Sequence, residues 1–137
     1  MGADELINVS KVENQVEAVR ELTGGRGVDV AIEATGIPEV WEKTICMARK
    51  AGKVLLFGGC KPGTSITVPT EVLHYSQLTL KGVFHTTPYH VEIAFNLITQ
   101  GMIDTNLLVS DELPLDRVVE ALKLHMHQRA IKIAVIP

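Results

Sequence analysis

The chain is poor in cysteine and in long apolar runs. It has two cysteines among 137 residues, and Cys46 and Cys60 lie too far apart for a Cys-x-x-Cys metal or redox motif. Two cysteines are too few for a disulfide framework, which favours a reducing, cytoplasmic setting. No apolar run approaches the ~18 residues of a membrane helix, and the N-terminus lacks the basic-then-apolar pattern of a signal peptide. The sequence therefore predicts a protein without a membrane anchor.

Strong charge of one sign is also lacking. The formal net charge is -3 and there is no long basic run, so nothing indicates a nucleic-acid partner. The basic cluster of Arg49, Lys50 and Lys53 is explained by a solvated turn between a helix and a strand. A length of 137 residues, with 46% hydrophobic and 21% charged residues, predicts a single globular domain over residues 1–137.

A mostly apolar, β-leaning run from Gly27 to Gly36 organises the chain. Its apolar residues do not alternate strictly with polar ones, which predicts a central strand covered on both faces, as in a parallel sheet between helices. A second apolar run from Lys53 to Gly59 follows one helix length later, and Pro38 suits the first turn of the helix between them. The pattern predicts a strand–helix–strand crossover, and hence an α/β fold.

Both predicted strands end in short, glycine-containing turns, Ala34-Thr35-Gly36 and Phe57-Gly58-Gly59. Ligands of parallel sheets collect beyond the carboxyl ends of the strands, so these turns are expected at the binding edge. Glu33 precedes the first turn and has two interpretations. It is either a general base with a raised pKa or a buried carboxylate that accepts hydrogen bonds from nearby donors, and the second is favoured.

Shorter patterns predict the remaining elements. We expect helices following Ser10, near residues 71–74, from 88 to 101 and near 116–126, and strands at 6–9, 65–68, 78–84 and 130–135. The strand at 65–68 is β-branched and followed by Pro69, which predicts an edge open to pairing with another chain. Two sets of apolar residues at helical spacing predict buried helix faces: Val91, Phe95, Ile98 and Met102; and Val118, Val119, Leu122 and Met126.

Other catalytic patterns find no support. The five histidines have no spacing that would bring three metal ligands together, and they are interpreted as surface residues: His74, His85, His90, His125 and His127. There is no Ser-His-Asp arrangement, no Gly-x-Ser-x-Gly elbow and no phosphate-cradling glycine loop. Composition and spacing alone indicate an α/β domain with a ligand-binding edge.

An ordered series of short motifs nevertheless covers nearly the whole chain. These motifs are Gly2-Ala3-Asp4, Ile7-Asn8, residues 24–30, residues 33–36, residues 51–54, Leu80-Lys81-Gly82 and Ile131-Lys132-Ile133. In this order they resemble the cofactor domain of medium-chain zinc-type alcohol dehydrogenases. The resemblance implies a partial Rossmann-like parallel sheet flanked by helices, lacking the first two strands of the full dinucleotide fold.

The resemblance also implies a function for a parent enzyme. Such enzymes are homo-oligomers that oxidise small-molecule alcohols or polyols by passing a hydride to NAD or NADP, with a catalytic zinc polarising the oxygen. The family's glycine-rich turn, ribose-binding acid and zinc-bearing domain have no counterpart here, and Cys46 and Cys60 match no family zinc ligand. We therefore expect the carboxyl-terminal part of a dehydrogenase, inactive on its own and binding NAD or NADP weakly.

Seven positions match the family's cofactor contacts: Ala34, Thr35, Phe57, Gly58, Val83, His85 and Lys132. The first two would face the adenosine side of the dinucleotide, and the next two the nicotinamide ribose. Val83 and His85 would offer backbone groups to the carboxamide, and Lys132 matches a basic position facing the pyrophosphate. The resemblance implies no catalytic and no metal-binding residue within this chain.

Two expectations concern pairing. Four residues resemble the segment through which family subunits pair edge to edge: Ser65, Ile66, Thr67 and Val68. Without the strands that separate 6–9 from 28–35 in the family, we expect 6–9 either docked beside 28–35 or unpaired. Two further functions stay open: a non-catalytic nucleotide-binding or assembly module, and part of a zinc-free quinone reductase relative.

Overall fold

The computed structural model describes residues 2–127 and 129–137, which divide into two compact units, Gly2–His85 and Thr86–Pro137. Each unit has its own parallel sheet, with three strands in the first and two in the second. The predicted α/β class with parallel strands is confirmed, whereas a single domain over 1–137 stays a prediction. Within the described residues, no helix combines the length and the apolar character needed to cross a bilayer.

The elements alternate between helix and strand. The first unit contains α1 (Gln15–Leu22), β1 (Val28–Glu33), α2 (Pro38–Met47), β2 (Ala48–Leu56), α3 (Thr70–Tyr75) and β3 (Thr79–Gly82). The second unit contains α4 (Pro88–Thr99), β4 (Val109–Pro114), α5 (Val118–Met126) and β5 (Lys132–Ile136). Short 3-10 turns cover Val9–Lys11, Thr105–Leu107 and Leu115–Arg117.

The sheet of the first unit has the strand order β1-β2-β3, with both pairs parallel. Ile32 lies opposite Leu55, which in turn lies opposite Lys81. Helix α2 connects β1 to β2, so the predicted strand–helix–strand crossover is confirmed. Because all three strands run the same way, their carboxyl ends meet at one edge of the sheet.

Helix α1 begins and ends where its capping residues allow. The Asn14 side chain accepts hydrogen bonds from the backbone N–H groups of Val16 and Glu17 at 3.0 and 3.2 Å. At the other end, the N–H of Gly25, with φ at 80°, donates to the carbonyl of Arg20 at 2.7 Å. The predicted glycine stop is confirmed, but the helix starts later than predicted because Asn14, not Ser10, is its cap.

The core of the first unit lies between the sheet and α2. Its buried residues are Ala31, Ile45, Ala48, Val54 and Leu56. On the opposite face of β1, Val30 and Ile32 are 55% and 62% exposed. The prediction of a central strand covered on both faces is therefore wrong: β1 is an edge strand, and α2 packs on one of its faces.

The predicted strand at 6–9 is not formed. Leu6 is 86% exposed, and a 3-10 turn begins at Val9. The N-cap of that turn is Asn8, whose side chain accepts a hydrogen bond from the N–H of Ser10 at 3.0 Å. Of the two arrangements expected, the segment has the unpaired one, because its polar groups bond locally and do not join β1.

The predicted edge strand at 65–68 is not formed either. The N–H of Thr67 donates to the Glu42 carboxylate at 2.7 Å, which replaces a bond to a neighbouring strand. Ile66 and Val68 pack against the core cluster instead of standing free at a sheet edge. A side-chain acceptor on α2 has thus taken the place of the ladder, and pairing between subunits through this segment stays a prediction.

The second unit follows the predicted element order with less burial than predicted. Helix α4 is capped by the Thr87 side chain and is followed by Gly101 with φ at 69°, as the sequence indicates. Strands β4 and β5 pair in parallel. The predicted buried helix faces are wrong, because these residues are exposed: Val91, Phe95, Ile98, Met102, Val118, Val119, Leu122 and Met126. A sheet of two strands offers too little surface to cover two apolar helix faces.

Candidate functional site

The ends of β1, β2 and β3 are joined directly by backbone hydrogen bonds. The N–H groups of Phe57 and Gly58 donate to the Glu33 carbonyl at 2.9 and 3.0 Å, and the N–H of Val83 donates to the Leu56 carbonyl at 3.3 Å. Six of the predicted cofactor positions follow these strand ends at the same sheet edge: Ala34, Thr35, Phe57, Gly58, Val83 and His85. The seventh, Lys132, opens β5 in the other unit with its side chain exposed.

The Glu33 carboxylate organises the turn after β1. Glu33 is 2% exposed, and its carboxylate accepts hydrogen bonds from the backbone N–H of Thr35 at 2.6 Å and of Gly36 at 3.1 Å. The Thr35 hydroxyl donates to the same oxygen. The favoured interpretation, a buried carboxylate satisfied by nearby donors, is confirmed. These bonds fix the backbone that follows β1.

The electrostatics of Glu33 exclude the alternative. Burial raises the pKa of this carboxyl, but the hydrogen bonds from Thr35 and Gly36 outweigh burial and hold the pKa below its ordinary 4.5. The group is therefore ionised at neutral pH. The interpretation of Glu33 as a general base with a raised pKa is wrong.

Gly58 lets the ends of β1 and β2 touch. A Cβ on Gly58 would lie 2.8 Å from the Glu33 carboxylate and from the Thr35 nitrogen, and still closer to the nitrogen of Gly36. The indole N–H of Trp41 donates to the Gly58 carbonyl at 3.1 Å and secures the contact from α2. The sequence patterns did not predict this bond, for which the signal was a single tryptophan one turn beyond Pro38.

Aromatic rings stand at the other two strand ends. Phe57, after β2, is 62% exposed, and Phe84, after β3, is 87% exposed. The rings of Phe84 and His85 lie with their centroids 3.8 Å apart, and His85 has φ at 64°. The sequence patterns did not single out Phe84, although an aromatic residue at the end of the predicted strand at 78–84 was a usable signal. Exposed rings beside backbone groups suit a flat ligand ring.

Among residues 2–127 and 129–137, no three His, Cys, Asp or Glu side chains are grouped so that they could hold a metal ion. Cys46 and Cys60 are half-buried and unbridged. Burial, with a smaller effect from the charges of Glu33 and Glu39, raises the pKa of the Cys60 thiol, so that it stays protonated at neutral pH.

Known proteins resemble this chain over its whole length. An alcohol dehydrogenase of Cupriavidus necator is 30% identical over 142 residues, which cover 100% of this chain and 38% of the relative. The sorbitol dehydrogenase of Bacillus subtilis (strain 168) is 27% identical over 140 residues, again covering 100% of this chain and 38% of the relative. The chain thus spans about 38% of the length of these curated relatives.

Solved structures share the fold. An alcohol dehydrogenase zinc-binding domain protein from Burkholderia ambifaria matches 99% of this chain with a TM-score of 0.88 and 29% identity, over 37% of its own length. The 2R,3R-butanediol dehydrogenase from Bacillus subtilis matches 96% of this chain with a TM-score of 0.83 and 25% identity, over 37% of its own length. The family model described as zinc-binding dehydrogenase matches residues 1–100, well over half of the sequence, so the chain belongs to the zinc-binding dehydrogenase family.

Proposed function

We propose that this chain is the carboxyl-terminal part of the cofactor domain of a zinc-type alcohol or polyol dehydrogenase whose parent enzyme passes a hydride to NAD or NADP. The observation that carries the proposal is the convergence of three parallel strand ends, because dinucleotides bind at such edges. Two relatives, an alcohol dehydrogenase and a sorbitol dehydrogenase, support the substrate class. A cytoplasmic homo-oligomer acting on a small alcohol or polyol belongs to the same proposal.

Different residues at this edge would contact different parts of a bound dinucleotide. Bound nicotinamide supplies the hydride acceptor. The turn at Thr35 is held rigid by Glu33, so it offers a fixed surface to the adenosine side, and the exposed ring of Phe57 offers an apolar surface to the nicotinamide ribose. The N–H of Val83 is already bonded to Leu56, so its carbonyl is the group left for the carboxamide.

The zinc of the proposed parent enzyme is assigned to a part of that enzyme outside this chain. The described residues assemble no group of three His, Cys, Asp or Glu that could hold the ion. We therefore derive no zinc step from this chain and assign that chemistry to the part of the parent enzyme that the chain does not match. Hydride transfer needs the alcohol held against the nicotinamide while a Lewis acid draws charge from its oxygen. The chain alone should accordingly bind NAD or NADP weakly and oxidise no alcohol.

Calorimetric titration with NAD and NADP tests this proposal when it is combined with amide NMR shifts and an alcohol-dependent absorbance assay. We expect weak binding, with shifts confined to the strand ends around Thr35, Gly58 and Val83 and to Lys132. Lys132→Ala should remove the residual heat, whereas Lys61→Ala, which removes the charge of another exposed lysine, should leave it. Micromolar affinity or zinc-dependent turnover would contradict the partial-domain proposal. Shifts elsewhere would contradict the cofactor edge.

A further inference from the structure

A second cleft opens at the opposite end of the three-stranded sheet, where the strands begin. It has a volume of about 540 Å³ and is lined by Arg20, Gly25, Arg26, Arg49, Lys50 and Ser76, together with Ala48. Four lining side chains are cationic, and none of the described lining residues is acidic. The sequence as a whole carries a net charge of -3, so this concentration of positive charge is local.

Arg20 is held in place without being neutralised. Its guanidinium donates to the carbonyl of Cys46 at 3.0 Å and to the carbonyl of Gly25 at 3.4 Å. Both acceptors are uncharged, so the bonds orient the side chain and leave its full positive charge. A half-buried guanidinium fixed in this way loses little entropy when an anion binds.

Two further arginines compete for one carboxylate. Arg26 donates to Asp29 at 2.9 Å, and Arg49 donates to the other oxygen of the same carboxylate. One negative charge thus faces two guanidiniums, and Lys50 adds a third cation at the start of β2. The cleft therefore keeps an excess of positive charge after its internal pairs are formed.

Gly27 shows that the fold builds this cluster. A Cβ on Gly27 would lie 2.7 Å from the Met47 carbonyl and 3.0 Å from the Arg49 nitrogen. The absence of a side chain there lets the segment carrying Arg26 lie directly against the start of β2. The basic residues are therefore brought together by close backbone packing, which a merely solvated turn does not require.

We propose that this cleft binds a small molecule carrying a phosphate or pyrophosphate group, at a site separate from the strand ends assigned to the dinucleotide. Planar guanidiniums donate paired hydrogen bonds that match phosphate oxygens. Several cations held close together also favour an anion that carries more than one negative charge. The volume accommodates a ligand of that size. The inference does not depend on the hydride-transfer proposal.

Titration of the full chain with inorganic pyrophosphate, monitored by amide NMR, tests the inference. A salt concentration of about 150 mM suppresses long-range attraction between the anion and the protein's positive charges. We expect saturable shifts at Gly25, Arg26, Lys50 and Ser76. The double variant Arg26→Gln/Lys50→Gln should raise Kd about tenfold, because two charge-assisted contacts are lost. Lys50→Gln alone should raise Kd by a smaller factor; its exposed side chain makes it the variant least able to disturb folding.

The matched control is Lys53→Gln, which removes the same charge from an exposed position on β2 outside the cleft. Its Kd should stay within about twofold of the parent value. If Lys53→Gln raised the Kd as much as Lys50→Gln, pyrophosphate would be attracted only by the overall positive charge and not by the cleft, and the proposal would be overturned. Shifts strongest at Thr35 and Gly58, or shifts that never saturate, would overturn it as well.

Discussion

Replacement of Glu33 by glutamine isolates the contribution of one buried charge to the strand-end turn. Glu33→Gln keeps the length and shape of the side chain. The Glu33 carboxylate now accepts from the N–H groups of Thr35 and Gly36 and from the Thr35 hydroxyl. All three donors bond to one oxygen, Oε1, and the Gly36 N–H also reaches Oε2 at 3.3 Å. A glutamine keeps one acceptor oxygen but has no charge, and its NH₂ group, which cannot accept, would face that N–H in the place of Oε2.

The magnitude follows from the number and kind of bonds. A hydrogen bond to a charged acceptor contributes about 1.5–3 kcal/mol, and an unsatisfied buried donor costs about 1–3 kcal/mol. Because Glu33 is 2% exposed, water cannot readily replace the lost acceptor. Part of the loss is offset because the neutral amide is cheaper to bury than the carboxylate. We expect the free energy of unfolding to fall by about 2–3 kcal/mol at neutral pH.

Urea unfolding monitored by tryptophan fluorescence measures this change in the unit that contains Glu33. Trp41 is the sole tryptophan, and its indole bonds to Gly58 beside the Glu33 carboxylate. The matched control is Glu13→Gln, which alters an exposed carboxylate and should shift the free energy of unfolding by less than about 0.5 kcal/mol.

The pH dependence separates charge from shape. The pKa of Glu33 is lower in the folded chain than its ordinary 4.5, so the carboxylate stabilises the fold above about pH 4.5. That stability is lost as the pH falls through the folded pKa. The difference between the parent and Glu33→Gln should therefore shrink towards about pH 3. A difference that is the same at both pH values, or below about 0.5 kcal/mol at neutral pH, would refute the reasoning.

Three further predictions use other contacts. Gly58→Ala should cost about 1–3 kcal/mol in urea unfolding because its Cβ meets backbone atoms, whereas Gly59→Ala, with open space around its Cβ, should cost little; equal effects would contradict the close contact. Asn14→Ala should lower the free energy of unfolding by about 1 kcal/mol through loss of the α1 cap, and an unchanged midpoint would argue against that cap. Light scattering should detect dimers or larger species, weakened by Ile66→Pro with Trp41 fluorescence retained; a monomer at all concentrations would contradict pairing through residues 65–68.

The parts of the fold predicted correctly are those that local patterns decide. Two apolar runs and Pro38 suffice to predict β1, α2 and β2 in order, because strand length, helix length and the proline's fixed φ all act within a few residues. The glycine stop after α1 is equally local. The strand-end turns follow from the parallel topology once the crossover is recognised.

The wrong predictions concern what packs on each element. The sequence of β1 suits burial on both faces, yet Val30 and Ile32 are exposed, because burial depends on the elements present on the second face and not on the strand itself. The segment 65–68 has β-forming residues, but the Glu42 carboxylate captures its Thr67 amide. Neither outcome can be derived from the local sequence, since each depends on a residue or element distant along the chain.

The two ends of the three-stranded sheet show the same dependence on pairing. Parallel pairing of Glu33 with Leu56 brings the turns after β1 and β2 together, and beyond a register shift between Val28 and Val30 the same two strands set Val28 opposite Ala48 at the other end. That second pairing carries Arg26 and Arg49 to one carboxylate, although they are far apart in sequence. One pair of parallel strands thus creates two convergent edges. The carboxyl edge has a turn fixed on the buried Glu33 carboxylate and exposed rings, whereas the amino edge concentrates positive charge, so the two edges suit ligands of different chemistry.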